Sequence, residues 1–159
     1  MQLRVPAIIL ASLVLAGCGR GAPLASSPLP VERIDVAGRQ YTTQTSALRV
    51  VVRDQATWKA LWAQTFRNVQ PAPPLPFVNF EDEMIVMAAL GEQPSGGYDI
   101  RVDEAFMDGV GTRVGLTIST PGRDCAVATV MTQPVDFARV PLRTGPLRFV
   151  EKRTAGDCN

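Results

Sequence analysis

The stretch Met84-Ile85-Val86-Met87-Ala88-Ala89-Leu90 decides the fold, because every one of its residues is apolar. An uninterrupted apolar run of this length, ended here by Gly91, is typical of a strand that is covered on both faces. The run therefore predicts a buried strand, and the residues on either side of it determine what covers that strand.

A strand and a helix precede the run. Residues 47–53 are rich in β-branched side chains and predict a strand. Asp54 then caps a helix of about 12–14 residues, whose apolar positions fall on one face: Trp58, Leu61, Trp62 and Phe66. We interpret both tryptophans as core residues under a sheet; the alternative is a ligand-stacking or partner-binding surface. Residues 70–76 contain four prolines and predict a rigid connector, or else a ligand for a proline-recognising domain.

Strands in hairpins follow the run. Apolar and polar residues alternate over 98–103 and again over 113–118, with a turn predicted at Asp108-Gly109. Further strands are predicted at 125–132, 135–140 and 147–152. The order predicts a β-rich α+β domain over residues 45–159: a twisted antiparallel sheet or open barrel of about six to seven strands, with one helix packed on it.

Composition excludes several classes of function. The chain has 159 residues, the size of one domain, and a formal net charge of +1, which argues against nucleic-acid binding. It contains no histidine, which removes the commonest general base and most zinc sites. The acidic runs at 81–83 and 103–104 lack the spacing of a calcium loop. We therefore predict no enzyme activity, no cofactor and no metal site.

The N-terminus predicts export and lipid anchoring. Residues 1–17 have a positive start and an apolar core of signal-peptide length. Leu15-Ala16-Gly17-Cys18 resembles a bacterial lipobox, which implies cleavage before Cys18 and attachment of lipid to it. Residues 18–44 are then the lipidated cysteine and a flexible tether rich in Pro, Ser and Gly. Gly19 follows the lipidated cysteine at the position where an aspartate would resemble an inner-membrane retention signal. The residue therefore favours the outer membrane of the cell envelope, if the source has two membranes. The alternative is an ordinary signal peptide with an incidental cysteine.

Two further cysteines, Cys125 and Cys158, form an even pair in an oxidising compartment. We predict a disulfide bond between them, which would fix the C-terminal residues. A catalytic thiol or two free buried thiols are the alternatives, and the first is weakened by the absence of histidine.

One longer motif is specific enough to indicate a family. Leu90-Gly91, then Ser95-Gly96-Gly97-Tyr98 entering an alternating strand, and later Pro121-Gly122 and Pro134 resemble the PrcB-like family of protease complex stability lipoproteins. The resemblance covers roughly residues 45–158. Where the family usually has Asp before a Phe, this chain has Asn79.

The resemblance implies a protein-interaction module that stabilises or regulates an exported protein, such as a serine protease or another envelope protein. Ser95, Gly96, Gly97 and Tyr98 are the candidate partner-binding turn. The glycines permit positive φ and close backbone approach, so a plain strand-entry turn is the structural alternative. The functional alternative is a small-ligand-binding lipoprotein with its pocket between helix and sheet, under Trp58 and Trp62.

Overall fold

The computed structural model describes residues 26–156. The predicted signal peptide, Cys18 and Cys158 therefore lie outside the described residues. Within that range the chain forms one α-helix and eight β-strands, in this order: β1 (Ser27–Leu29), β2 (Glu32–Arg33), β3 (Leu48–Val52), α1 (Gln55–Thr65), β4 (Glu83–Ala89), β5 (Asp99–Asp108), β6 (Gly111–Thr120), β7 (Val135–Pro141) and β8 (Leu147–Ala155).

The strands form two open sheets of four strands each. The inner sheet has the order β2-β7-β4-β3, and the outer sheet has the order β1-β5-β6-β8. The predicted β-rich α+β class with one helix is confirmed. The strands are divided between two sheets, and β8 pairs with β6 in parallel rather than antiparallel orientation. The sequence predicts that consecutive strands pair as antiparallel hairpins. This expectation fails for β8 because β7, which lies between β6 and β8 in sequence, joins the inner sheet.

Strand β4 lies between two apolar layers. Ile85 and Met87 point into a cluster that contains the helix tryptophans. Met84 and Val86 point into a second cluster, between the two sheets. All four side chains are fully buried, as the continuous apolar run predicted. The fold is thus a stack of helix, inner sheet and outer sheet.

Helix α1 begins and packs as its sequence predicts. Asp54 is the N-cap, and its Oδ1 accepts a hydrogen bond of 2.8 Å from the Thr57 backbone N–H. That hydrogen bond holds the pKa of Asp54 below its usual value. Trp58 and Trp62 are buried, with ring centroids 5.5 and 5.3 Å from that of Phe137 on β7. The interpretation of both tryptophans as core residues is confirmed.

The N-terminal edge of the domain lies earlier than position 45. Within the predicted tether, β1 pairs with β5 and β2 pairs with β7. Pro28 is compatible with β1 because that strand is at the edge of its sheet, where a backbone N–H is not required. Leu29 packs against the inter-sheet cluster and Ile34 is buried under the helix. Residues 27–44 are therefore part of the fold and not a flexible tether.

The predicted strand at 125–132 is wrong. Residues 121–131 run without regular structure, and only Thr132 and Gln133 form isolated bridges, to Gln93 and Tyr41. The side chains of Val127, Val130 and Met131 are exposed. Because they gain no cover from a second layer, their β-propensity alone does not produce a strand.

Candidate functional site

The predicted partner-binding turn leads into β5. Gly97 has φ +84°, whereas Gly96 does not have a positive φ. The Gly96 N–H donates to the Ala128 carbonyl oxygen at 2.9 Å, and Thr132 Oγ1 donates to the Ser95 carbonyl oxygen at 2.9 Å. Tyr98 is half-buried. The turn is therefore held against the irregular segment 121–131, and the two together form one surface.

Gly97 is required both by its backbone conformation and by close contact. A Cβ atom there would lie 3.0 Å from Pro121 Cβ and 3.0 Å from Val127 Cγ1. At Gly96 the nearest atoms to an added Cβ, all of Ala128, are 3.7 Å away, which is ordinary contact. The two neighbouring glycines thus differ sharply in what a side chain would cost.

Replacing Gly97 by alanine is expected to lower the free energy of unfolding by about 1–2 kcal/mol, because left-handed backbone is costly for a residue with a Cβ. The matched control, Gly96→Ala, should change it by less than about 0.5 kcal/mol. Urea unfolding of both variants measures the difference. Equal costs at the two positions would contradict this account of the turn.

The proline-rich segment 70–76 is fixed to the helix through its carbonyl groups. Trp62 Nε1 donates to the Pro73 oxygen at 3.0 Å, and Trp58 Nε1 donates to the Pro76 oxygen at 3.1 Å. The tryptophans are about one helical turn apart, and the carbonyls that accept from them are three residues apart in the proline-rich segment. The indole N–H groups thus find partners while the rings stay in the core. The segment thus lies between α1 and β4 and is attached to the helix at two carbonyl groups.

An apolar groove of about 900 Å³ runs between this segment and residues 34–41. Its walls are mainly prolines and aliphatic or aromatic side chains, including Ile34, Val36, Tyr41, Trp62, Val69 and Leu75. Tyr41 is 54% exposed. Gly38 has φ +79°, and a Cβ there would lie 2.8 Å from Val69 Cγ1, so this glycine lets the two walls approach each other.

The groove is not where a pocket was predicted. The space under the two tryptophans is filled, with Phe66 and Phe137 in ring contact with Trp62. Trp58 does not line the groove, and Trp62, which borders it, is only 5% exposed. The alternative of a ligand pocket under both rings is therefore not what the structure has, because Phe137 packs against them there.

A buried ion pair was missed from the sequence. Asp136 on β7 is 1% exposed and accepts two hydrogen bonds from the Arg33 guanidinium, at 2.9 and 2.8 Å. The hydrogen bond to this carboxylate raises the pKa of Arg33. Asp136 also accepts from the Val102 backbone N–H at 2.8 Å, next to a β-bulge in β5. The available signal was the single carboxylate of Asp136 among the apolar residues at the start of the strand, 135–138.

Over residues 26–156 there is no cluster of three or more His, Cys, Asp or Glu side chains that could hold a metal ion. Within the same range no helix has the length and apolar character needed to cross a membrane.

The fold and surfaces define a β-rich α+β domain with a fixed turn and an exposed apolar groove. Residues 84–141, which run from β4 to the end of β7, match the family model described as PrcB C-terminal, and this match supports a PrcB-like family assignment. The family consists of stability or accessory proteins and is not a known enzyme family. Neither the curated proteins nor the solved structures contain a match to the chain.

Proposed function

We propose that this protein is a lipid-anchored interaction module of the bacterial cell envelope that binds and stabilises an exported protein. An exported serine protease is the partner class that the family favours, because the match is consistent with a module related to protease-complex stability. That match is the observation on which the proposal rests.

The exposed apolar side chains support binding of a macromolecule. Tyr41, Leu75 and Phe77 lie in or beside the groove segments, and Val127, Val130 and Met131 lie on the segment against the 95–98 turn. Phe77 is 82% exposed, while its carbonyl oxygen accepts a hydrogen bond of 2.9 Å from Arg139. Exposed aromatic side chains on a fixed backbone are typical anchors of protein interfaces.

Capture of a partner tests the interaction. The full chain, expressed with an affinity tag in its source, should enrich one exported protein from detergent-solubilised envelopes, and a protease should be identified by mass spectrometry. The partner should be less stable in cells that lack this protein. Capture equal to that of an unrelated tagged lipoprotein would contradict the proposed function.

The lipid anchor is expected to depend on Cys18 and the final location on Gly19. Metabolic labelling with an alkyne fatty acid should label the wild-type chain and not Cys18→Ser, whereas the control Cys125→Ser should keep the label. In a two-membrane host, Gly19→Asp should move the labelled protein from the outer to the inner membrane fraction. Labelling of Cys18→Ser would contradict the anchor.

The groove favours a second candidate function, the binding of a small apolar ligand. Its volume of about 900 Å³ lies within the usual range for ligand sites, roughly 300–1,000 Å³. A fluorescent fatty acid titrated into the full chain should then bind saturably, and Tyr41→Ala should weaken that binding.

A further inference from the structure

We propose that the groove between residues 34–41 and 68–76 binds an extended, proline-containing peptide segment that carries one basic side chain. The inference rests on the proposed interaction function and gives that function a site and a partner chemistry. It follows from the shape of the groove, from its unused hydrogen-bond donors and from its charge.

The walls of the groove fit a polyproline-type ligand. Tyr41, which is 54% exposed, provides aromatic surface, and Pro71, Pro73 and Pro74 provide apolar surface. Trp62 borders the groove but is only 5% exposed. Grooves lined by aromatic residues recognise proline-rich segments because such segments lose little conformational entropy on binding. The chain already demonstrates this chemistry internally, since two indole N–H groups bind carbonyls of its own proline-rich segment.

Several hydrogen-bond donors at the rim of the groove have no acceptor in the described part of the chain. The side chains of Tyr41, Asn68 and Gln70 line the groove and form no hydrogen bond within residues 26–156. A polyproline-type peptide has no internal hydrogen bonds, so its carbonyl oxygens need external donors. One hydroxyl and two amide groups beside an apolar floor match that need.

The charge of the groove selects a basic residue in the ligand. Among its described lining residues, Asp35 carries the sole full charge. Its carboxylate is exposed and forms no ion pair within residues 26–156. A ligand arginine would pair with this carboxylate, whereas an acidic residue in the same place would be repelled.

Fluorescence anisotropy with a labelled peptide, Leu-Pro-Pro-Leu-Pro-Arg, and the full chain in detergent tests the proposal. Saturable binding is expected. Tyr41→Ala should weaken it by about ten-fold or more, as loss of an aromatic anchor does. Asp35→Asn should weaken it about two- to five-fold, the effect of an exposed ion pair. A control peptide with Gln in place of the final Arg should bind Asp35→Asn and the wild-type chain with equal affinity.

Two control variants should leave binding unchanged: Asp103→Asn, which removes a carboxylate on the outer sheet, and Val110→Ala at the β5–β6 turn. Circular dichroism verifies that each variant is folded. Binding that Tyr41→Ala and Asp35→Asn do not alter would overturn the proposal. So would saturation of the groove by a fluorescent fatty acid that the peptide does not displace.

The same variants separate this proposal from the proposed function. If the full chain captures an envelope partner but the peptide does not bind, the groove proposal is wrong and the interaction function stands. If peptide binding and partner capture are both lost in Tyr41→Ala, the groove is the site of the interaction.

Discussion

Replacing Asp136 by alanine is expected to lower the free energy of unfolding by about 2–4 kcal/mol, because a buried N–H loses its acceptor and a partly exposed guanidinium loses its partner. The side chain of Asp136 is fully buried, whereas that of Arg33 is 31% exposed. Without the carboxylate, the Arg33 guanidinium loses two hydrogen bonds. The Val102 N–H, which is buried, is left without its acceptor.

The position of Asp136 between three strands explains why loss of its carboxylate is expected to cost so much stability. Asp136 belongs to the inner sheet, Val102 belongs to the outer sheet, and Arg33 is on the short edge strand β2. The register of β5 against β6 shifts between Val102 and Glu104, so that Ala105 rather than Glu104 faces the core. The carboxylate therefore ties three strands together at the point where the β5–β6 ladder is irregular.

A neighbouring ion pair provides the control. Glu32, beside Arg33 on β2, pairs with Arg139 of β7 at 2.6 Å, but the Glu32 side chain is 67% exposed. Glu32→Gln should cost less than about 1 kcal/mol, since exposed ion pairs contribute little. Asp136→Asn keeps an acceptor for the Val102 N–H and should fall between the two. Urea unfolding of all three variants measures the order, and equal costs for Asp136→Ala and Glu32→Gln would refute it.

The elements predicted correctly are those whose signals are local. Helix α1 needs only its cap and one apolar face, and β4 needs only its continuous apolar run. The β5–β6 hairpin is signalled by its turn, where the Asp108 carboxylate accepts from the Val110 and Gly111 N–H groups at 3.0 and 3.1 Å. Each of these signals involves residues close together in sequence, so the sequence can be interpreted without knowledge of the fold.

The features missed depend on residues far apart in sequence. Arg33 and Asp136 are separated by 103 positions, and β2 forms only because β7 is beside it. The groove likewise needs residues 34–41 to pass in front of the proline-rich segment. The residue pattern of 34–41 does not indicate that the proline-rich segment lies beside it, and the pattern of the proline-rich segment does not indicate 34–41. The turn at 95–98 could therefore be predicted from the sequence, but the groove could not.

The parallel pairing of β8 supports the proposed disulfide between Cys125 and Cys158. That pairing continues to Thr120 and Ala155. Beyond it, the Gly156 N–H donates to the Thr120 carbonyl oxygen at 2.7 Å. The Cys125 Sγ atom lies 4.0 Å from the Gly156 carbonyl oxygen. Cys158 follows Gly156 by two positions, and two residues span at most about 7 Å, so its thiol can reach Cys125.

Loss of this bond, by Cys125→Ser or Cys158→Ser, is expected to cost about 3–4 kcal/mol, because it opens a loop of about 33 residues. The Tm should fall by about 10 °C, and a reductant should lower the wild-type Tm equally. Cys18→Ser, which leaves the pair intact, is the control and should keep the wild-type Tm.

The bond should also stabilise the candidate turn, because Cys125 belongs to the segment whose Ala128 carbonyl accepts from the Gly96 N–H. Hydrogen exchange at Gly96 should therefore quicken on reduction, while exchange within β4, buried on both faces, should change far less. If both thiols react with a labelling reagent in the native full chain, the bond is absent. The turn is then held by its backbone hydrogen bonds and by the packing of Gly97.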